Sequence, residues 1–535
     1  MNYWHIQFDK PQGREKGGIS IEPDKLLNLN PPVIGTGEWD HEQCSNFKNV
    51  MTEGDVVLVR KGKNPVALVE ITSTNFQDKY LQQKYINENW RTVRVLSRFE
   101  DNLAAKRILA SNLKRFKRKF IMSSGTLSKC KGLNATNQFI QQWHMLILKN
   151  QKMKNLSNIL KAKKQIILQG PPGTGKTREA KDVAEYIING SVTDDKNEQK
   201  EELESSEHFK LVQFHPAYSY EDFVRGIVVE TDVSAMPEYK TVNKILGAFA
   251  KKANQSNLSG EVDDFDRAWK ELIQDINNGT VTKIGSSNVT VTINSQENIK
   301  FNSPVATYQK TYELYKYGKT DLKYETYQKI VLEHLKDSKH KYNLTAYKAP
   351  VKISSDKTYI LIIDEINRAN LPAVLGELIY ALEYRGEKVE SMYATLEDGN
   401  TLLLPENLLI IGTMNTSDRS VGHIDYAIRR RFAFVDVLPK LLDIPNFEDD
   451  LFRKVAALFV KNFDEYQQNS QTPLIRSEHL SEEFRPEHVW LGHSYFINTD
   501  GDFSMRKNYE IIPILREYLN DGILRQSAES EINAL

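Results

Sequence analysis

Cysteine is nearly absent: Cys44 and Cys130 are the two in 535 residues. Neither a disulfide framework nor a zinc-type ligand spacing can be built from them, so a reducing, cytoplasmic location is expected. Long apolar runs are lacking too. None reaches bilayer-spanning length, so no membrane partner is expected. The stretch Met1-Asn2-Tyr3-Trp4-His5 lacks the charged-then-apolar order of a signal peptide. Net charge is zero, with 71 Lys and Arg against 71 Asp and Glu. The guanine-recognition pattern Asn-Lys-x-Asp is also missing: Asn243-Lys244-Ile245-Leu246 ends in Leu and reads as part of a helix. Glu387-Lys388 follows Gly386 with no acid-bearing strand before it, which excludes a metal-dependent nuclease within this chain. Two to four domains fit the length, and 40% hydrophobic content is enough for packed cores.

What is present is a complete phosphate-binding loop. Gly170-Pro171-Pro172-Gly173-Thr174-Gly175-Lys176-Thr177 follows the apolar run Gln165 to Leu168 and precedes a helix-forming stretch. Glycines let successive N–H groups curl around a polyphosphate, and the helix N-terminus adds its positive end. Lys176 is placed to reach the β- and γ-phosphates, and the hydroxyl of Thr177 to ligate Mg²⁺.

Strand-type sequence from Thr358 to Ile363 then runs into Asp364-Glu365. Carboxylates at the carboxyl end of a buried strand lie where open α/β sheets bind ligands. Asp364 is the candidate Mg²⁺ residue and Glu365 the candidate for polarising the attacking water, a residue that a pure binder does not need. A third strand, Asn407 to Thr413, delivers Asn415, which can orient the water. Arg429-Arg430-Arg431 closes a short helix. Such a cluster reads either as cations suited to a helix C-terminus or as arginine fingers, Arg430 and Arg431, serving a neighbouring subunit.

Together these residues resemble the AAA+ superfamily, and within it the McrB branch of modification-dependent restriction motors. The narrower likeness lies in Phe214 to Phe223, Asp364 to Leu371 with Gly376-Glu377-Leu378, Met414-Asn415-Thr416-Ser417-Asp418-Arg419-Ser420, Leu491 to Phe496, and Tyr509 to Tyr518. The resemblance implies a GTP-hydrolysing homo-oligomeric ring, a hexamer, that drives a separate McrC-type nuclease subunit. It implies that Asp418 and Arg419 join the nucleotide site. GTP rests on the resemblance alone, and ATP stays open. Two other readings stand beside it: an ATP-dependent remodeller of protein complexes with a protein-binding N-domain, and a binding module whose nucleotide only switches assembly.

Charge is distributed unevenly. Residues 91–164 hold 18 Lys and Arg against Glu100 and Asp101, a net of about +16. The densest part is Lys114-Arg115-Phe116-Lys117-Arg118-Lys119. Such density suits a phosphate backbone, or else a solvated helix face or an acidic partner subunit. Before it, short β-type runs separated by turns (Tyr3 to Phe8, Asp55 to Arg60, Val66 to Ile71, Arg91 to Leu96) favour a small barrel. This part loosely resembles EVE and PUA-like modules, which read modified bases. Trp4, Trp39, Phe47 and Trp90 are candidate stacking faces for a flipped, modified DNA base, and each fits a core role as well.

The expected fold class is therefore α/β: an AAA+ P-loop core with a C-terminal helical lid, preceded by a small mixed β-barrel of PUA/EVE type. The boundaries read as 1–132 for the nucleic-acid reader, 133–164 for a basic helical connector, 165–440 for the core and 441–535 for the lid. Residues 227–350 form an insertion in the core, with a helix from Phe265 to Ile276, a hairpin from Val281 to Ile293, and helix from Tyr308 to Leu335. Asp194 to Glu207 reads as a mobile acidic loop.

Overall fold

The structure is a computed structural model. It describes residues 1–8, 22–37, 41–85, 87–119, 127–193, 195–230, 238–256, 258–259, 264–285, 288–294, 297–320, 325–347, 351–352, 357–395, 398–417, 424–442, 444, 446–469, 471–498 and 501–535. The chain divides into two compact units, residues 1–158 with 185–205, and residues 159–184 with 206–535.

In the first unit the four β-type runs are strands, Tyr3–Phe8, Val56–Lys61, Asn64–Ile71 and Asn89–Arg98. Val33–Thr36 and Leu127–Lys129 join them at the two edges of one six-stranded sheet. The sheet is mixed, because Tyr3–Phe8 runs parallel to Val56–Lys61 while the other pairs are antiparallel. Alternation along Val56–Lys61 serves two cores. Val57 and Val59 pack with Trp4, Phe47 and Trp90 on one face. Val56 and Leu58 pack on the other face with Phe139, Ile140, Trp143 and Ile147. Those four belong to the helix Ala135–Lys163, whose first half is thus part of this unit's packing.

The acidic stretch expected to be a mobile loop is instead a helix, Lys196–Ser205. Asp195 accepts from the N–H groups of Asn197 and Glu198 at its start, at 2.9 and 3.2 Å. Leu203 and Gln199 are buried, Gln199 donates to Glu185 at 2.6 Å, and Arg107 pairs with Glu198 at 2.5 Å. One apolar anchor and three polar ties outweigh a composition that reads as disordered.

The second unit is built on a five-stranded parallel sheet. Its order is Ala433–Asp436, Gln165–Gly170, Leu408–Asn415, Tyr359–Asp364, Phe209–Gln213. The strands read as continuous apolar runs because both faces are covered; Ile166, Ile167, Leu168 and Ile360 to Ile363 are all buried. In this order the phosphate loop, the Asn415 strand and the Asp364 strand end side by side. C-terminal helices form a separate core around Phe452, Trp490, Phe496 and Leu515.

The insertion has its own core, centred on Phe265, Trp269, Leu272, Val331 and Leu335. The helix Phe265–Asn277 and the turn between Lys283–Ile284 and Val289–Ile293 fall where the sequence places them. Two further short strands extend that hairpin to four. The long helical region is two helices, Tyr308–Tyr317 and Thr326–Lys336, the first ended by Gly318 at φ +71°. Asn243 does not lie in a helix as expected: it ends the strand Glu238–Asn243, and the helix begins at Ile245. Its side chain accepts from the buried Arg225 at 2.7 Å and donates to Asp398 at 2.8 Å, which ties two hairpins together.

Candidate nucleotide-hydrolysing site

The phosphate loop leaves the strand at Gly170 and enters the helix Lys176–Asn189. Thr174 Oγ1 donates to the carbonyl of Pro171 at 3.1 Å and closes the loop on itself. Lys176 is 7% exposed, and its Nζ donates to the carbonyls of Gly170 at 2.9 Å and Pro171 at 2.8 Å. Burial pushes its pKa down to about 8, against an opposing pull from Glu365 and Asp364. A cation desolvated in this way gains most from an incoming polyphosphate.

Asp364 ends its strand beside the loop. A single carboxylate oxygen, Oδ1, accepts from Thr177 Oγ1 at 2.7 Å and Thr413 Oγ1 at 2.5 Å. These are hard oxygen donors of the kind that hold Mg²⁺ together with phosphate and water. Among the described residues no group of three or more His, Cys, Asp or Glu side chains is placed to hold a metal ion. Thr177 and Asp364, hydrogen-bonded beside the phosphate loop, are the residues that would hold the ion, and Mg²⁺ there would neutralise charge on the phosphates.

Glu365 sits in the left-handed region at φ 54°, ψ 45°, an unfavourable conformation for a glutamate. Its surroundings fix it. The N–H donates to Thr413 Oγ1 at 3.1 Å, Oε1 accepts from Asn415 Nδ2 at 2.6 Å, and Oε2 faces Arg368 Nε at 3.3 Å. Asn367 reaches the carbonyl of Asn415 at 3.3 Å. The structure thus brings Lys176, Thr177, Asp364, Glu365 and Asn415 to one place. Thr413 and Arg368 were not singled out from sequence. The signal for Thr413 is a hydroxyl among apolar neighbours, two residues before the strand's Asn.

The lid segment closes over the loop. Gly492 N–H donates to Pro172 O at 3.1 Å, and Ser494 N–H to Gly173 O at 2.9 Å. A Cβ on Gly492 would lie 2.1 Å from the carbonyl carbon of Gly173, so only glycine permits this approach. Gly173, at φ +79°, faces the ring of Tyr495 in the same way. Tyr220 and Glu377, which carry part of the family likeness, are scaffold: the Tyr220 hydroxyl donates to Glu377 at 2.5 Å.

The two candidate fingers differ. Arg431 is held: its side chain is 9% exposed, pairs with Glu383 at 2.9 Å and donates to Ala427 O at 2.5 Å. Arg430 is 66% exposed and shares the same Glu383 oxygen at 3.3 Å. The main chain beneath them is anchored to the phosphate-loop strand, since Gln165 Nε2 donates to Arg431 O at 2.7 Å. Asp418 and Arg419 lie outside the described residues.

In the N-terminal unit, the expected stacking role is corrected for Trp4, Phe47 and Trp90. All three are fully buried. Trp4 Nε1 donates to the buried Asp55 carboxylate at 2.9 Å, and the Trp90 ring fills the space beside Gly35. Pleat alternation turns Trp4 and Trp90 into the core, Phe47 enters it from the helical turn Asn46–Val50, and a ring without solvent access cannot stack on a base. Trp39 lies outside the described residues. Lys114, Arg115, Lys117, Arg118 and Lys119 are all exposed at the end of the helix Leu103–Arg115.

A five-stranded parallel sheet, a phosphate loop, an Asp-Glu strand end, an Asn beside it and a helical lid have the arrangement of an AAA+ P-loop core, here preceded in sequence by a small mixed β-domain. The AAA domain (dynein-related subfamily) profile matches residues 307–432. The chain is similar to the type IV methyl-directed restriction enzyme EcoKMcrB subunit of Escherichia coli (strain K12), at 28% identity over 385 residues, covering 69% of this chain and 56% of that protein. It is 36% identical over 90 residues to the type II restriction enzyme BsuMI component YdiS of Bacillus subtilis (strain 168), covering 14% and 26% respectively. The chain thus spans about half or less of the length of these relatives. Among solved structures, human THYN1 in complex with 5-methylcytosine-containing DNA covers 26% of this chain and 97% of its own at 13% identity, with a TM-score of 0.18. C. elegans PCH-2 covers 72% and 66% at 12% identity, with a TM-score of 0.19. Likenesses this slight carry no weight. Among the described residues no helix is long and apolar enough to cross a membrane.

Proposed function

We propose that this chain is the GTP-hydrolysing motor and DNA-recognition subunit of a cytoplasmic, McrBC-like, modification-dependent restriction system, working with a separate McrC-type nuclease. The observation that supports hydrolysis best is the pair of networks at the strand ends, Thr177–Asp364–Thr413 and Glu365–Asn415. Lys176 and the loop N–H groups hold the β- and γ-phosphates. Glu365 polarises the attacking water, and Asn415 fixes that carboxylate's direction. The Thr177 hydroxyl and the Asp364 carboxylate would hold Mg²⁺, whose charge would screen the phosphates. Arg430 is the finger offered to the next subunit of a hexameric ring.

GTP is preferred in this reading because of the McrB likeness; Asn243 is occupied with Arg225 and Asp398. The DNA half is supported by the five exposed cations from Lys114 to Lys119. The test is hydrolysis of GTP and ATP side by side by the purified chain, with and without plain and cytosine-modified DNA. GTP turnover is expected. Turnover of ATP alone, indifferent to DNA, would replace this reading with that of an ATP-driven remodeller.

A further inference from the structure

The loop that follows the Asn415 strand touches more than the hydrolytic pair. Asn415 donates to Glu365 at 2.6 Å. The next residue, Thr416, donates through its N–H to Gly170 O in the phosphate loop at 3.1 Å, and through Oγ1 to His488 O in the lid at 2.7 Å. Ser417 then lies beside the hydroxyl of Tyr518, a buried residue of the lid helix Ile512–Asn520. From the other side, Gly492 and Ser494 bond the lid back to Pro172 and Gly173. Three consecutive residues therefore join the water-activating carboxylate, the phosphate loop and the lid. Adjacent residues at a strand end cannot move independently, so a change of partner at Asn415 alters the contacts of Thr416.

Resting on the reading of Glu365 and Asn415 as the hydrolytic pair, we infer that Thr416 and Ser417 are positioning residues that couple nucleotide state to the lid. With the Asn415–Glu365 contact in place, Thr416 and Ser417 hold the lid stitched over Pro172 and Gly173, and bound nucleotide is retained. When that contact changes, the stitching loosens and nucleotide leaves. The coupling needs a differential contact at each end, and the side-chain hydroxyls supply it at the lid.

The experiment uses the full chain, unaltered and as Thr416→Val, Thr416→Ser, Ser417→Ala and Tyr518→Phe. Dissociation of a fluorescent guanine nucleotide is followed by stopped flow. Hydrogen exchange at the Gly492 and Ser494 amides is measured with and without a non-hydrolysable triphosphate. In the unaltered chain the triphosphate should protect both amides. Thr416→Val should release nucleotide about tenfold faster, because a part-buried carbonyl loses its donor, and should lose that triphosphate-dependent protection. Turnover at saturation should fall less than affinity does, and Thr416→Ser should restore both readouts. Ser417→Ala and Tyr518→Phe should shift them in the same direction by less; they carry the test should Thr416→Val fail to fold. Thr416→Val with unaltered release, or with a lower melting temperature but intact nucleotide-dependent protection, would overturn the coupling. So would an unaltered chain that turns over triphosphate while its lid amides ignore it, which leaves the hydrolytic reading standing. No binding of any triphosphate by the unaltered chain would overturn both.

Discussion

In the AAA+ core the residues that stand out in the sequence converge: Thr177 bonds Asp364, Asn415 bonds Glu365, and Lys176 sits in the loop beside them, all at the ends of neighbouring strands. In the N-terminal unit the conspicuous residues do the reverse. Trp4, Phe47 and Trp90 are packed away, and the surface is left to the undistinguished lysines and arginines from 114 to 119. The difference follows from how each chemistry is built. Phosphate binding needs backbone N–H groups and short side chains at fixed sequence spacing, so it leaves a pattern along the chain. Base reading needs a few aromatic faces that any part of a β-domain can donate, and a tryptophan gains more from burial than from exposure.

The contrast is tested most severely at Glu365. Glu365→Gln should keep nucleotide binding while turnover falls by about 10⁴-fold, the upper range for loss of a general base. Equilibrium binding beside steady-state hydrolysis checks it; a modest loss would remove Glu365 from the water-activating role. Next comes the division between the arginines. Arg430→Ala should lower hydrolysis by about 10³-fold with little change in melting temperature. Arg431→Ala should instead lower stability by about 1 kcal/mol, since the Ala427 carbonyl loses its donor and the exposed Glu383 is left with Arg430 alone. Mixing Arg430→Ala with Glu365→Gln subunits should recover some activity, as competent interfaces form between them.

The N-terminal half of the comparison yields smaller effects. Replacing Lys114, Arg115, Lys117, Arg118 and Lys119 with Ala should weaken DNA binding to modified and plain duplexes alike, and should flatten its salt dependence by up to about four units of slope. Trp4→Phe, which removes the donor to Asp55, should lower stability without altering the preference between those duplexes. A selective loss of preference in Trp4→Phe would restore it as a reader. The smallest effect is a pH limb. Lys176 in the free chain has its pKa pushed down to about 8, and the protonated form is the one that meets phosphate. kcat/KM, which reports the free enzyme, should therefore fall about tenfold per unit above pH 8. A flat profile to pH 9.5 would contradict this.

The three central strands, the motifs at their ends and the insertion's main elements were legible because apolar runs, glycine loops and terminal acids are local signals, whereas the order of the strands was not. The lid's hold on Pro172 and Gly173 was not, because main-chain bonds between distant segments leave no residue type behind except Gly492. The helix Lys196–Ser205 was missed for a similar reason: Leu203 and the Arg107–Glu198 pair matter only once their distant partners are in place. Asn243 looked like the start of a base-recognition pattern and is the tie between two hairpins.

The insertion core can be handled as a unit. Leu258–Ser259 and Val351–Lys352 pair antiparallel, so the chain leaves for the Phe265 to Tyr347 module and returns from it at a single point. A module that carries its own core and has adjacent ends can be removed or exchanged by joining those two short strands through a tight turn. A shortened chain of this kind should keep the nucleotide site intact and lose only what the module contacts, which makes this junction a place where one attachment can be swapped for another.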